Sequence, residues 1–394
     1  MNDPGIKIEV HLIQNFAPSN LNRDDTGQPK SATFGGSRRA RVSSQCGKRA
    51  LREWWRDRST VTVGERTLRL QQIIGDKLAE DREFTTKVPN EADRKNGIRL
   101  FTDAYYAAAK NDKPDKTNVL IFIGPNEVNV CAQVIKDIWD GEIKGKTGIK
   151  TRKEMQDRIG QAQLSADIAL FGRMLAEQPG RNTDGACQVA HPISTHRVDM
   201  EMDFYTAVDD LNPEEETGAG MMGVVGFNSA CYYRYALVDR DQLARNLSRK
   251  IERSNGEWAQ KLESRDYEEA DTVIKAFLEA MVYAIPTGKQ NSFAAQNLPS
   301  FGLFVRRQGG VPISLANAFA KPVRPTKDDD DLVGLSVDRL TKHWDALKQV
   351  YGDQGIQTAS CFHIQQEGRL NGLSSSDMGK VEGSIKAIME VNKS

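Results

Sequence analysis

The sequence has few of the features that mark secreted, metal-binding or membrane proteins. Its 394 residues include only five cysteines, which are scattered and form no CxxC motif. This odd number predicts free thiols in a reducing cytoplasm instead of disulfides or zinc ligands. No apolar run approaches the length that spans a membrane, and the first ten residues do not resemble a signal peptide. We therefore expect a cytoplasmic protein with no membrane segment, metal or cofactor.

Acidic and basic residues are equal in number but unevenly distributed. Lys and Arg together number 54, as do Asp and Glu, so the formal net charge is zero. Between residues 20 and 58, however, ten Lys or Arg stand against four Asp or Glu, a local excess of six positive charges. A neutral protein that concentrates cations in one segment is expected to bind a polyanion there.

The same segment contains a predicted helix at residues 44–56, with Ser43 or Ser44 as its N-cap. Its free N–H groups suit a phosphate near residues 43–45. One face carries polar and basic side chains at helical spacing: Gln45, Lys48, Arg49, Arg52 and Arg56. A solvated basic face is the alternative interpretation, but the arginines just upstream, beside a predicted hinge at Gly35-Gly36, favour polyanion binding.

The order of predicted elements is typical of an α+β, ferredoxin-like (RRM-type) domain. The elements are strand, helix, strand, strand, helix and strand, at residues 6–13, 44–56, 187–198, 227–238, 267–284 and 300–306. A Rossmann unit is disfavoured, because its first strand and helix are joined by a short glycine-rich turn. Here a connection of about thirty residues, with an excess of basic side chains, separates them.

Residues 60–182 interrupt this order as a large, mostly helical insertion. We predict helices at 67–81 and 126–139, a short strand at 119–123 and a mobile basic loop at 141–158. Part of that loop, 141–147, resembles a phosphate loop, but it is one residue short and follows a helix, so nucleotide hydrolysis is not expected. Residues 164–174 are predicted as a buried strand or helix that ends in exposed Arg173 and Met174.

Residues 195–226 are predicted to form a protruding hairpin. Eight Asp or Glu and no Lys or Arg lie between residues 199 and 216, around Phe204 and Tyr205. We expect this acidic hairpin to dock on the basic segment of the next copy, which would build an open filament. A solvated acidic loop is the alternative. The neighbouring His191 and His196 fall on opposite faces of a strand, so they are not expected to share a metal.

Six blocks of the sequence resemble the backbone subunit of the type I-E CRISPR surveillance complex Cascade, the CasC family of RAMP-type crRNA-binding proteins. The blocks are LNRDD…FGGSRRARVSSQCGKRALR, LSADIALFGRM, AHPISTHRVDMEMDFYTAVDDL, FNSACYYRYA, IPTGKQNSFAAQN and ISLANAFAKPV. They occur in order between residue 6 and about residue 324. Residues 60–160 and the last 70 residues carry little of the resemblance.

The resemblance implies a non-catalytic scaffold. Such a subunit polymerises along the crRNA in about six adjacent copies, displaces bases at regular intervals and presents guide segments for pairing with a target DNA strand. Further implied partners are the large subunit, the small subunit, the 5'-handle-binding subunit and the crRNA endonuclease. In the terms used for that family, the expected domains are palm (1–58, 183–194 and 227–325), fingers (59–182), thumb (195–226) and a loosely attached helical tail (326–394), whose helix we expect Ser336 to cap.

Sixteen residues are expected to contact the RNA. Cations would neutralise phosphates, polar side chains would bond to phosphate and ribose, and apolar side chains would separate bases. They are Asn22, Arg23, Lys30, Arg38, Arg41, Ser43, Gln45, Lys48, Arg49, Arg52, Arg173, Met174, Phe204, Tyr205, Lys289 and Gln290. Met174, Phe204 and Tyr205 are the base-separating members, the methionine by resemblance.

Two other functions fit the sequence. Related backbone subunits of type III complexes cut RNA with an aspartate in the loop after the first strand, where Asp24 and Asp25 lie. We favour a structural ion pair for these carboxylates, since no acid partner is positioned for catalysis. A general single-stranded RNA binder is the third possibility, with salt-sensitive binding and no length rule.

Overall fold

The protein is described here by a computed structural model, which covers residues 5–105, 109–110, 113–139, 157–175, 182–207, 221–254, 257–353, 355–364 and 380–390. The strands are β1 (Ile6–Ser19), β2 (Ser31–Phe34), β3 (Ser37–Ala40), β4 (Glu65–Thr67), β5 (Ala109–Lys110), β6 (Lys113–Thr117), β7 (Ile121–Ile123), β8 (Cys187–Val189), β9 (Ile193–Ser194), β10 (Glu201–Ala207), β11 (Met221–Asp239), β12 (Arg253–Ser254), β13 (Glu257–Trp258), β14 (Phe301–Gln308) and β15 (Ile356–His363).

The helices are α1 (Ser44–Arg58), α2 (Leu70–Ala79), α3 (Arg82–Lys87), α4 (Glu91–Tyr105), α5 (Pro125–Trp139), α6 (Ala166–Phe171), α7 (Arg240–Ser248), α8 (Ser264–Tyr283), α9 (Gln290–Phe293), α10 (Leu332–Tyr351) and α11 (Val381–Met389). A 3₁₀ turn spans Ala316–Phe319. The chain divides into two compact units: Met1–Trp54 with Gln188–Val238 and Ile274–Ser394, and Trp55–Cys187 with Asp239–Val273.

A seven-stranded sheet organises the first unit. Its strand order is β10–β11–β1–β14–β15, and β8 and β9 also pair with β11. The pairs β1/β14, β9/β11, β10/β11 and β14/β15 are antiparallel. All four strands of the predicted six-element order are confirmed and lie in this sheet. The third element is split into β8 and β9, and Pro192, which has no N–H for a strand ladder, lies between the two pieces.

Around the second half of β11, both faces of the sheet are buried. Along β11, Cys231 and Tyr233 pack in one core with the side chains of β14 and α10. The intervening residues Ala230 and Tyr232 pack in a second core with Phe16, Val42 and others. Two-residue periodicity thus sends neighbouring side chains into different cores. The predicted helices at 44–56 and 267–284 are confirmed as α1 and α8.

The C-terminal region differs from the prediction. We expected a loosely attached tail, but β15, a strand of eight residues, pairs with β14 from Phe301 to Arg307. Helix α11 buries Ile385 and Ile388, and Arg306 donates from Nη1 to the Ile388 carbonyl at 3.2 Å. Ser336 does not cap α10, because Asp331 does so by accepting from the Gly334 N–H at 2.8 Å.

The second unit has its own core. Helices α2, α4 and α5 surround it, with Ile74, Ile98 and Val134 among the buried side chains. The predicted helices at 67–81 and 126–139 correspond to α2 and α5, and residues 166–171 form a helix instead of a strand. Most of the predicted basic loop, including 141–147, lies outside the described residues. Asp239 caps α7 by accepting from the Gln242 N–H at 3.0 Å.

Some features are missing from the part of the chain that the structure describes. No helix there combines the length and apolarity that a membrane crossing requires. No group of three or more His, Cys, Asp or Glu within it could hold a metal ion. The five cysteines are free thiols, four of them buried.

Candidate nucleic-acid interface

The loop after β1 is held against the start of α1. The Ser43 N–H donates to Asn22 Oδ1 at 2.8 Å. Ser43 Oγ in turn accepts from the Cys46 N–H at 3.2 Å, as an N-cap does. Asn22 and Ser43, which we predicted as RNA contacts, therefore support the loop and the helix start, and they fix the surroundings of the free N–H groups of α1.

The loop has further internal bonds. Asp24 Oδ1 accepts from Thr26 Oγ1 at 2.7 Å and from the N–H groups of Thr26 and Gln28, both at 3.0 Å. The Thr26 hydrogen bond lowers the pKa of Asp24. The carboxylate that we considered as a possible catalyst thus closes the loop by hydrogen bonds. Arg23, next to it in sequence, is exposed, and Lys30 is partly buried.

The stretch that we predicted as a hinge is the tight turn of a hairpin. Strands β2 and β3 pair with Phe34 opposite Ser37, and Gly35 and Gly36 have φ of 57° and 71°. These angles favour glycine. The turn also lies close to the backbone of Ala320, since a Cβ on Gly35 would be 1.6 Å from the Ala320 carbonyl oxygen. The turn therefore fixes the arginines of β3 in place.

The three hairpin arginines have different surroundings. Arg38 is exposed. Arg39 is fully buried and donates to the carbonyl oxygens of Ser194 and Phe319, at 2.9 and 2.8 Å. Arg41 Nη1 donates to His191 Nδ1 at 2.8 Å. Partial burial, and next the charge of Arg41, lower the pKa of His191, which favours the neutral acceptor form. Sequence reasoning missed this arginine–histidine pair, for which no local pattern exists.

Helix α1 presents fewer cations than its spacing predicted. Gln45 is exposed and Lys48 is partly exposed. The exposed Arg49 donates from Nε to Glu53 Oε1 at 2.7 Å, an i,i+4 pair. Arg52 is only 7% exposed, so its expected place on the surface of this face is wrong. Among the predicted RNA contacts on α1, the accessible side chains, Gln45, Lys48 and Arg49, therefore lie in its first two turns.

A second loop lies against the first. A Cβ on Gly288 would be 2.3 Å from the Leu21 carbonyl oxygen, so residues 287–289 approach the loop after β1 closely. Lys289 has φ of 54°, and Gln290 Nε2 donates to the carbonyls of Pro286 and Ala295 at 3.0 and 3.2 Å. The structure thus brings the neighbourhood of Lys289 to that of Asn22, as the RNA-binding prediction requires, while Gln290 braces its own loop.

Arg173 and Met174 belong to the second unit. The expectation that Arg173 is exposed is wrong: its side chain is 2% exposed and Nη1 lies 2.7 Å from Glu127 Oε2. Its backbone exchanges hydrogen bonds of 2.9 Å with Thr183 in both directions. Met174 is 85% exposed, and the Leu175 N–H beyond it donates to Asn182 Oδ1 at 2.6 Å. The methionine is therefore displayed between two residues that are held in place.

The predicted hairpin is present as β10 and the first part of β11, paired from Glu201–Phe227 to Ala207–Met221. Residues 208–220, with five of the eight acids, lie outside the described residues. Phe204 and Tyr205 point to opposite faces. Phe204, 62% exposed, shares its face with the exposed side chains of Met202, Met222 and Val224. Tyr205 covers Gly223, where a Cβ would lie 2.4 Å from its ring.

The exposed apolar face of this hairpin was missed in the sequence. Its members, Met202, Phe204, Met222 and Val224, come from two strands separated by the hairpin end, and only the pairing of Phe204 with Val224 shows that they share a face. Strict alternation counted from Phe204 on both strands would have found them, given the register.

Comparison with known proteins places these features in a family. None of the curated proteins is similar enough to count as a match. A chain of the solved "CRISPR RNA-guided surveillance complex, pre-nicking" is 28% identical, with a TM-score of 0.78, and the match covers 97% of this chain and all of that one. A chain of a second solved structure, "CRISPR RNA-guided surveillance complex", is 23% identical, with a TM-score of 0.69 and coverage of 97% and 99%, and shows the fold alone.

The family result covers almost the whole sequence. The model of the CT1975-like proteins matches residues 8–391. The match includes residues 60–160 and all but three of the last 70 residues, in which the six sequence blocks gave little signal. The chain belongs to the CT1975-like protein family of CRISPR-associated (Cas) proteins.

Proposed function

We propose that the chain is the non-catalytic crRNA-binding backbone subunit of a type I-E Cascade surveillance complex. The observation that carries the proposal is the basic segment, residues 20–58. Hydrogen bonds accepted by Asn22 Oδ1 and Ser43 Oγ brace it, together with the β2–β3 turn, while Arg23, Arg38 and Lys48 keep exposed surface. A preorganised basic surface is what sequence-independent binding of a phosphate chain needs.

The sheet supports a ferredoxin-like palm. In the order β9–β11–β1–β14, the first and third strands of the six-element order are central and the second and fourth lie outside them. This is the arrangement that β-α-β-β-α-β chains adopt when their two helices cover one face. Strand β15 extends the sheet beyond the expected four strands.

Separation of bases falls to the exposed apolar side chains. Met174 is displayed on a braced turn, and Phe204 lies on the apolar face of the hairpin. An exposed, deformable apolar side chain can fill the gap between unstacked bases. Tyr205 is the weaker candidate, because its ring covers Gly223. Guide segments between such wedges would pair with the target DNA strand.

The acidic hairpin of one copy would dock on the basic segment of the next, giving a filament of about six copies on one crRNA. The large subunit, the small subunit, the 5'-handle-binding subunit and the crRNA endonuclease complete the proposed assembly. Two solved CRISPR RNA-guided surveillance complexes contain chains similar to this one, which supports that setting. RNA cleavage is not favoured, since Asp24 Oδ1 is committed to three donors.

The test is to co-purify the protein with its nucleic acid, sequence the RNA and weigh the intact particle. We expect RNA of one defined length, with a fixed number of protein copies. Heterogeneous RNA with coverage that varies with salt would point to a general single-stranded RNA binder. Recovery of the complete protein without RNA would contradict the proposal.

A further inference from the structure

Arg234 is a half-buried cation for which the described residues provide no negatively charged partner. It lies on β11, on the face of the strand that also carries Tyr232. Within the described residues its side chain makes one hydrogen bond, from Nη1 to Gln14 Oε1 at 2.5 Å. Gln14 is neutral, and its Nε2 donates to the Asn297 carbonyl at 2.7 Å, which turns its oxygen toward the arginine.

Such an arrangement is costly unless an anion completes it. Burial lowers the pKa of Arg234 to about 10, and no neighbouring acid opposes this shift. The guanidinium therefore stays charged near neutral pH, and a charge that is largely withdrawn from water normally has a partner. The protein provides one elsewhere: Arg173 pairs with Glu127, and Arg307 lies 3.2 Å from Glu9.

The surroundings of Arg234 leave room for a small anion. The arginine lines a cavity of about 30 Å³ whose other walls include Gln14, Ser44 and Gly47 and contain no acidic side chain. A water molecule needs about 10–15 Å³, so the cavity admits one or two oxygen atoms but not a nucleoside. Ser44 and Gly47 belong to the first turn of α1, whose dipole also favours negative charge.

We propose that Arg234 is an anion site that receives a phosphate oxygen of the RNA backbone at the start of α1. Its planar fork can donate to two oxygens of one phosphate. The inference rests on the proposed function, because it takes the guide RNA as the source of the phosphate. The site lies within the segment FNSACYYRYALV, which the sequence predicted as a strand, with no binding role for Arg234.

The test compares wild type, Arg234→Met and the matched control Lys342→Met, an exposed lysine on α10. Binding of single-stranded RNA to the full chain is measured at several salt concentrations. We expect Arg234→Met to weaken binding roughly tenfold, the effect of losing a hydrogen bond to a charged group. The slope of log K against log salt should fall by about 0.7, one phosphate contact. Lys342→Met should change neither quantity.

Urea unfolding, with and without inorganic phosphate, is measured on the same proteins. The urea midpoint of Arg234→Met should be unchanged or higher, because no carboxylate loses its partner. Unfolding of both Arg234→Met and Arg234→Lys would make the arginine structural and overturn the inference. Equal RNA binding and equal salt slope in wild type and Arg234→Met would also overturn the inference. If inorganic phosphate then stabilised only the wild type, the site would be assigned to free phosphate instead of RNA. Failure of the wild type to bind RNA would instead contradict the proposed function.

Discussion

Arg173, which is buried, and Arg234, which is half-buried, show what an arginine does with and without a counter-charge. In the second unit, Arg173 meets both carboxylate oxygens of Glu127, at 2.8 and 2.7 Å, and also donates to the Phe122 carbonyl at 3.0 Å. In the first unit, Arg234 meets a single neutral oxygen of Gln14. Both residues are basic, and each lies in or beside a block that resembles the same family.

This difference in partners distinguishes an arginine with a structural role from one that is available for binding. An arginine whose charge is paired with a buried carboxylate does not need an anion from outside, so Arg173 braces the turn that displays Met174. A cation that the fold leaves incomplete is available to an anion from outside. Residue type alone does not divide these roles, since an arginine can bond equally well to a carboxylate or to a phosphate. The role of each arginine depends on whether the fold gives it an acidic partner.

The largest expected effect is the loss of the Arg173 ion pair. Arg173→Met should lower the free energy of unfolding by about 3–5 kcal/mol, because Glu127 would keep a buried, unpaired charge. Urea unfolding followed by circular dichroism measures this. The double variant Arg173→Met, Glu127→Leu removes both charges and should recover much of the loss. Equal stability of Arg173→Met and wild type would mean that the Arg173–Glu127 pair does not stabilise the fold, and Arg173 would then no longer differ from Arg234 in this respect.

Burial of a histidine, unlike burial of an arginine, should make the free energy of unfolding depend on pH near neutrality, because only the histidine titrates there. Burial lowers the pKa of His11 to about 3, so the folded protein keeps this ring neutral. The ring bonds through Nδ1 to Tyr233 Oη at 2.9 Å. In the unfolded chain it gains a proton below about pH 6.5. Unfolding therefore takes up a proton between these values, and stability falls by about 1.4 kcal/mol per pH unit as the pH drops.

His11→Gln should remove this contribution. The variant and wild type are compared by urea unfolding between pH 4 and 7, and proton uptake on unfolding should be lower by about one in the variant. His191, His196 and His343, whose pKa values are also lowered by burial, are common to both proteins. Parallel stability profiles would mean that His11 takes up its proton as readily in the folded protein as in the unfolded chain.

Met174 should matter for function but hardly for stability. Its side chain is 85% exposed, so Met174→Ala should change the free energy of unfolding by less than about 0.5 kcal/mol. If it separates guide bases, nuclease footprints on the bound RNA should lose their regular accessible positions. Leu298→Ala, at another exposed apolar residue, is the control. An unchanged footprint in Met174→Ala would contradict a role for Met174 in separating bases, and Met174 and Arg173 would then differ only in their burial.

The smallest expected effect concerns cleavage. Asp24→Ala and Asp25→Ala should leave RNA as intact as the wild type does, because Asp24 closes its own loop. Denaturing gels of incubated RNA measure this. Specific cleavage by the wild type that either variant abolishes would reverse the assignment and favour a type III-like enzyme.

Long periodic segments of the fold were predictable from the sequence. Helix α8 and strand β1 follow from apolar spacing alone, and the cap at Asp239 from its position before α7. Strand β15 was not predictable, because its sequence IQTASCFH has weak alternation and owes its place to pairing with β14. The two glycines of the β2–β3 turn signal a break in the chain, but only the register shows a hairpin.

The sequence predicts where the candidate site lies but not the role of each of its residues. The charge excess of residues 20–58 indicates where a polyanion could bind. It does not show that Arg39 is buried among carbonyls or that Arg52 is only 7% exposed. Arg173 finds its acid at Glu127, 46 positions away in the sequence, whereas the partner of Arg234 is the neutral Gln14. These are properties of tertiary contacts, which spacing within one segment does not encode.

Retention of RNA after charge reversal tests the central claim most directly. The triple variant Arg23→Glu, Arg38→Glu, Lys48→Glu removes accessible cations of the basic segment, and Lys275→Glu, Lys342→Glu, Lys386→Glu makes the same charge change at exposed lysines elsewhere. Both are purified alongside wild type, and the RNA that accompanies each is quantified. We predict that the first variant loses its RNA while the second retains it. Equal RNA retention by all three proteins would contradict the account.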